Sequence, residues 1–209
     1  MKLRISSRDL RYVVAFALVM TIVSSGVAYR ALYPPPNEQY FAMWVLGPDG
    51  FAQHYYPNDD SNLGIKEPVN WTIGVQNQMG GLEYVVVRVK LLNSTLNGPA
   101  NPTGSPSSTI PVLEFTRVLI ENETWSMPFD WMIANATEAN GSISIIGLSI
   151  NGNQLVGDFA SALSGYNFRF VFELWFYDAS TNGLVFSQPT TAGPRSVWTQ
   201  IWFNATSVA

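Results

Sequence analysis

The chain has 209 residues, 47% hydrophobic and only 12% charged, with no cysteine and one histidine, His54. The missing cysteines exclude disulfide frameworks, thiolate metal sites and cysteine nucleophiles, and a lone histidine excludes a multi-histidine metal centre. High hydrophobicity excludes intrinsic disorder, and a pI near 4.9 excludes the basic face that nucleic-acid binding requires.

Residues 1–30 carry a balance of +4, from Lys2, Arg4, Arg8, Arg11 and Arg30 against Asp9, while residues 31–209 carry −8. A basic stub, 1–11, is followed by the uncharged run Tyr12–Tyr29, whose only clearly polar members are Thr21, Ser24 and Ser25. Their hydroxyls are able to bond back to helix carbonyls. As a helix this run rises about 27 Å, close to the ~30 Å hydrocarbon core of a bilayer. Tyr12 and Tyr29 stand where aromatic rings favour the interface, and the basic excess before the run predicts a cytoplasmic N-terminus. The expectation is a single transmembrane helix over 12–29, with the lipid bilayer as its partner and everything after it outside the cell. A cleaved signal peptide ending at Gly26-Val27-Ala28 is the alternative. The apolar run exceeds the usual signal core of roughly 7–15 residues, which favours the uncleaved anchor.

Residues 30–39, with Tyr33-Pro34-Pro35-Pro36-Asn37, form a stiff extended spacer. From 40 to 209 the chain alternates strand and turn signals. Expected strands are Tyr40–Leu46, Phe51–Tyr56, Val69–Gln78, Leu82–Leu92, Ile110–Ile120, Trp125–Ile133, Ser142–Ile150, Tyr166–Tyr177, Leu184–Ser187 and Val197–Asn204. Val69, Trp71, Ile73 and Val75 share one face. Pro128 marks an edge or a bulge. Asn93–Thr109 reads as a long exposed loop, Asn151-Gly152-Asn153 as a hairpin turn, and Leu155–Leu163 as a short helix. These elements predict one antiparallel, all-β, immunoglobulin-like sandwich of about nine or ten strands. Two smaller sandwiches divided at the 93–109 loop are the alternative.

Six Asn-x-Ser/Thr sequons follow the apolar run, at Asn70, Asn93, Asn122, Asn135, Asn140 and Asn204. With 16 Asn and 32 Ser plus Thr in the chain, chance supplies about two or three. The excess points to glycosylation of an exported body. An exported, sequon-rich domain without cysteine departs from the disulfide habit of secreted eukaryotic domains, and points instead to an archaeal cell surface.

Catalytic signatures are missing: there is no G-x-S-x-G elbow, no phosphate-binding glycine loop and no H-E-x-x-H. No carboxylate pair stands out by spacing, so hydrolysis by acids from separate strands is the weakest reading. Asp59, Asp60 and Asn62, with Glu67 nearby, gather oxygen ligands that would suit calcium, but the spacing departs from an EF-hand and a solvated turn explains it as well. The expectation is therefore no cofactor, with calcium the exception. Aromatics give a stronger signal. In Val197–Asn204 one face carries Trp198, Gln200 and Trp202. In Tyr166–Tyr177 the face opposite the phenylalanines carries Arg169, Val171, Glu173, Trp175 and Tyr177. Either these faces are covered by the long loop and the short helix, or Trp175, Tyr177, Trp198 and Trp202 present an interface.

Trp44-Val45-Leu46-Gly47-Pro48-Asp49-Gly50, then Tyr56-Pro57, Glu67, Val69–Asn77 and Tyr84-Val85-Val86-Val87, resemble the extracellular module of archaeal membrane proteins known as domain of unknown function 1616. The resemblance covers about residues 40–92. It departs at Lys66, where the family turn has glycine, and at 58–62, where the loop is longer. It implies an immunoglobulin-like sandwich outside an archaeal membrane, and no activity or site residues. The function expected is non-enzymatic: a cell-envelope interaction protein or an accessory subunit of a membrane complex, with envelope or membrane proteins as partners and no nucleic acid. A carbohydrate- or solute-binding module, assisted by calcium, is the alternative.

Overall fold

The computed structural model describes residues 7–32, 39–100, 104–190 and 193–206, and the chain forms two units, Met1–Glu38 and Gln39–Ala209. In the first, helix α1 runs Ser7–Leu32, 26 residues. Thr21 Oγ1 donates to the Ala17 carbonyl at 2.8 Å and Ser24 Oγ to that of Met20 at 2.7 Å, so both hydroxyls are absorbed by the helix as their placement predicts. Apolar side chains such as Phe16, Ile22 and Val27 are exposed. Among the described residues, no helix is long and apolar enough to cross a membrane. The transmembrane span expected at 12–29 is therefore not found there. α1 starts within the expected stub 1–11 and ends within the expected spacer 30–39, while the proline run 33–37 lies outside the described residues.

The second unit is a two-sheet β-sandwich in one compact body. Its strands are β1 (Tyr40–Leu46), β2 (Asn62–Leu63), β3 (Val69–Gln78), β4 (Glu83–Leu92), β5 (Leu113–Leu119), β6 (Thr124–Ala139), β7 (Ser142–Ile150), β8 (Asn153–Leu163), β9 (Phe168–Asp178), β10 (Gly183–Val185), β11 (Ser187–Gln188) and β12 (Arg195–Ala205). A five-stranded sheet has the order β1-β3-β6-β7-β8. A seven-stranded sheet has the order β11-β12-β9-β4-β5, with β10 on β9 and β2 parallel on β12. The strand total exceeds the expected nine or ten because 155–163 joins a sheet as part of β8, the expected strand Leu184–Ser187 is divided into β10 and β11, and β2 is two residues long, too short to leave a periodicity.

Alternation along the strands builds the core. Val69, Trp71, Ile73 and Val75 of β3 are all buried. They stand beside Phe129 and Trp131 of β6 in the same sheet and meet Phe168, Phe170, Phe172 and Phe203 across the sandwich. Trp131 lies 4.7 Å from Phe170 and 4.8 Å from Phe203 between ring centroids. Such aromatic pairs add to the burial energy of large rings.

Two expected elements are different in the structure. Leu155–Leu163 is not a helix but part of strand β8. Asn151 and Gly152 both take positive φ, 49° and 79°, and this turn returns the chain antiparallel onto β7, with Leu148 opposite Leu155. The ladder to β7 overrides the weak helical pattern. Phe51–Tyr56 is not a strand. Gly47 N–H bonds to the Phe51 carbonyl at 2.8 Å, and the Asp49 carboxylate accepts from Phe51 N and Gln53 Nε2, both at 3.0 Å, so the segment is held as a loop. A Cβ at Gly47 would stand 2.2 Å from the Gln53 carbonyl oxygen, so only glycine fits there. Pro128, by contrast, occupies a local edge as its chemistry requires: β3 pairs along one side, and on the other the Asn151 side chain donates to its carbonyl at 2.9 Å.

Candidate functional site

The outer face of the seven-stranded sheet is where this fold puts its unusual chemistry. On β4 the core positions Val85, Val87, Val89 and Leu91 alternate with Arg88 and Lys90, which therefore face outward. On β9, Arg169 and Glu173 do the same opposite the inward phenylalanines. Antiparallel register sets Arg88 and Trp198 on either side of Glu173.

An outward position ought to be solvated, yet Glu173 and Lys90 are buried, with side chains 0% and 4% exposed, and form an ion pair at 2.9 Å. Ser107, in the loop between β4 and β5, lies over them. Ser107 donates to Glu173 Oε1 through its backbone N–H at 2.8 Å and its hydroxyl at 2.6 Å, and its carbonyl accepts from Lys90 Nζ at 2.7 Å. Trp175 Nε1 donates to Glu173 Oε2 at 3.2 Å. Both carboxylate oxygens are thus occupied, and the Ser107 hydroxyl is spent as a donor. The group acts as a clamp that holds the loop on the sheet, rather than as an acid, base or nucleophile facing a substrate. The expected loop at 93–109 is accordingly not exposed throughout, since Ser107 is buried.

Arginine–tryptophan stacks flank the clamp. The Arg88 guanidinium lies 4.0 Å from the Trp175 ring centroid and is bonded to Glu114 at 2.7 Å. Arg169 lies 4.5 Å over Trp202, with Nη1 donating to Gln200 at 2.9 Å and Nη2 to the Leu96 carbonyl at 2.7 Å. Its Nε is buried without a partner among the described residues, and desolvation lowers its pKa from the usual arginine value.

All four expected interface residues lie on this face, but they do not form one patch. Trp202 is 39% exposed beside Arg169, and Tyr177 is 42% exposed at the far end of β9. Trp175 and Trp198 are half-buried between them, and Phe186 packs against Trp175 at 5.6 Å. The sequence shows the outward charges Arg88, Lys90, Arg169 and Glu173 as breaks in apolar strands. It allows the 93–109 loop to cover this face, but does not single out Ser107 as the residue that closes over them.

The candidate calcium loop has other uses for its oxygens. Asp60 Oδ1 accepts from the N–H and side chain of Asn62, Asp59 Oδ1 pairs with His54 Nδ1 at 2.7 Å, and Asn62 Oδ1 accepts from Asn204. Glu67 Oε2 accepts from Gly64 N–H. Among the described residues, no group of three or more His, Asp or Glu is placed to hold a metal ion.

The sequons divide into two kinds. Asn70 in β3, Asn122 before β6, Asn135 in β6 and Asn140 after β6 are exposed. Asn93 and Asn204 are half-buried. Asn93 Nδ2 donates to the Ser161 carbonyl at 2.7 Å, and Asn204 Nδ2 to Asn62 at 2.9 Å while its Oδ1 accepts from Asn167 N–H. The four free asparagines belong to the five-stranded sheet and the turns at the ends of β6. Of the two engaged ones, Asn204 lies in β12 of the seven-stranded sheet and Asn93 directly follows β4 of that sheet.

No protein-family profile and no curated protein matches this chain. Similar solved structures include a beta-glucosidase from Listeria innocua in complex with glucose, at 8% identity and TM-score 0.33 over 81% of this chain and 16% of the enzyme. A beta-glucosidase of intestinal bacteria involved in saponin metabolism aligns at 12% identity and TM-score 0.35, over 79% and 16%. One from Kluyveromyces marxianus aligns at 11% and 0.31, over 79% and 15%. The chain spans about a sixth of the length of these enzymes, and likeness at this level carries no functional argument.

Proposed function

We propose that this protein is a membrane-tethered, glycosylated extracytoplasmic sandwich that works without chemistry of its own, as an interaction protein of the cell envelope or an accessory subunit of a membrane complex. The observation that carries this reading is the division of its two outer faces. Accessible sequons sit on the five-stranded sheet and its turns, while the aromatic residues sit on the seven-stranded sheet, where the sequons in β12 and just after β4 have their amides engaged. Glycans on one face leave the other free for a protein partner, and exposed tryptophan beside arginine is the composition of interface hot spots. Tethering through α1, as a single-pass anchor with a cytoplasmic N-terminus, is supported by the uncharged run 12–29 and the basic residues before it. An archaeal cell surface and an immunoglobulin-like arrangement of the sheets belong to the same proposal.

The natural lack of cysteine makes a direct test available. Trp202→Cys and Asn135→Cys place one thiol on each face for thiol-directed cross-linking in the native membrane. The expected result is a discrete protein adduct from position 202 and none from position 135. Adducts from 135 alone, or from neither position, would overturn the assignment of the face.

A further inference from the structure

One end of the seven-stranded sheet carries a second, separate surface. Cross-strand register sets Val118 of β5 opposite Tyr84 of β4, and Leu184 of β10 opposite Tyr177 of β9. The β4–β9 register, with Val86 opposite Trp175, sets Tyr84 beside Tyr177. Leu82 and Ile120 continue the same face two residues beyond Tyr84 and Val118. Five of these side chains are open to solvent: Leu82 68%, Ile120 61%, Val118 49%, Tyr177 42% and Tyr84 40%. A contiguous apolar and tyrosine belt of this kind marks a contact surface rather than scattered exposure.

The chain itself indicates what the belt meets. β1 enters the sandwich at this end: Phe41 packs on Phe176, the neighbour of Tyr177, at 5.4 Å, and a Cβ on Gly80, in the turn before Leu82, would stand 3.2 Å from Gln39 Nε2. Only six residues, 33–38, separate α1 from Gln39. Fully extended, that link reaches at most about 25 Å. Resting on the reading of α1 as a membrane anchor, we propose that the belt of Leu82, Tyr84, Val118, Ile120 and Tyr177 seats this end of the sandwich in the headgroup layer of the bilayer. Tyrosine and aliphatic side chains together suit that boundary, where one end of a ring is apolar and the other wet. The charges around the belt are mostly acidic. Glu83, Glu121 and Asp178 are nearby, and Arg117 is neutralised by Glu123 at 2.7 Å. The contact therefore works by apolar burial and suits zwitterionic rather than anionic lipid.

The test uses the full chain in phosphatidylcholine vesicles, with a nitroxide on one introduced cysteine at a time and collision with oxygen or with a neutral nickel complex as the readout. Ile120→Cys reports the belt, Val156→Cys on β8 reports the solvent, and Val19→Cys reports α1. The expected result is oxygen-dominated relaxation at 19 and 120 and nickel-dominated relaxation at 156. Oxygen dominance at 19 with nickel dominance at 120 leaves the anchor in lipid and overturns the seating. A label at 120 shielded from both reagents means that protein covers the belt, and overturns it too. Nickel dominance at 19 removes the anchor itself, and the seating falls with it.

Discussion

Glu173 and Lys90 are a buried ion pair placed where a strand should meet water. Their desolvation is offset only because both carboxylate oxygens accept hydrogen bonds, from Lys90, Ser107 and Trp175. Removing one partner leaves a bare buried charge. Lys90→Ala should therefore cost about 3–5 kcal/mol in urea unfolding, whereas the double change Lys90→Met with Glu173→Leu should recover most of that loss. A single mutant no less stable than the wild type would show that the loop, not the pair, supplies the stability. His54 makes a different electrostatic case. Its hydrogen bond to the Asp59 carboxylate raises its pKa above the ordinary 6.5, with the carboxylate charge adding to the effect. As the chain's one histidine, it gives a single imidazole signal by NMR. That signal should titrate above 6.5 and move down in Asp59→Asn. Because the folded value is the higher one, the pair's small contribution is complete below the unfolded pKa and is lost as pH rises through the folded pKa.

Among the elements, β3 shows how one strand is fixed at both faces and at its end. Inward, its four apolar residues enter the aromatic core. Outward, Gly74 lies under Trp44, whose ring would stand 2.1 Å from an added Cβ. Gly74→Ala must displace that ring, so it should destabilise although alanine is small. At the end of β3, Asn77 is wholly buried. Its amide donates to the carbonyls of Gly81, Leu119 and Ile120 and accepts from Met79 N–H, tying the β3–β4 turn to the end of β5. Asn77→Ala would orphan those carbonyls at a cost of roughly 1–3 kcal/mol, with the largest gain in amide exchange expected at 79–82 and 119–123. Phe170→Ala on β9, at the centre of the ring cluster, should cost about 3–5 kcal/mol. A much smaller value in thermal unfolding would mean that Trp131 and Phe203 collapse into the gap.

For the whole molecule, the division of faces makes a prediction about modification. Glycopeptide mass spectrometry of protein from its native host should find occupancy at Asn70, Asn135 and Asn140, and bare asparagine at Asn93 and Asn204. The engaged pair is excluded by geometry, since each amide nitrogen already donates within the fold. High occupancy at 93 or 204 would bring sugar onto the seven-stranded sheet and remove the basis for assigning that sheet to a partner. The bilayer contact proposed for the belt and the partner contact proposed for Trp202 lie at opposite ends of β9, so one body can make both.

Much of the fold is legible along the chain because period-two alternation and turn residues act locally. β1, β3 and β7 have the limits that their alternation predicts, and the burial of Val69, Trp71, Ile73 and Val75 follows from it. Charge segregation, the uncharged run and the sequons are likewise properties of order alone. What the alternation cannot carry is pairing between distant segments. Leu155–Leu163 reads as a helix until β7 supplies its ladder, and the two-residue β2 exists only through its pairing with β12. Glu173 reads only as an outward position on β9 until Ser107, 66 residues away in the chain, closes over it. Which sequons keep a free amide, and which aromatic residues end up beside one another, are likewise outcomes of packing. Local periodicity determined the strands; contacts across tens of residues, where one backbone satisfies the polar groups of another, decided the sheets, the clamp and the two surfaces.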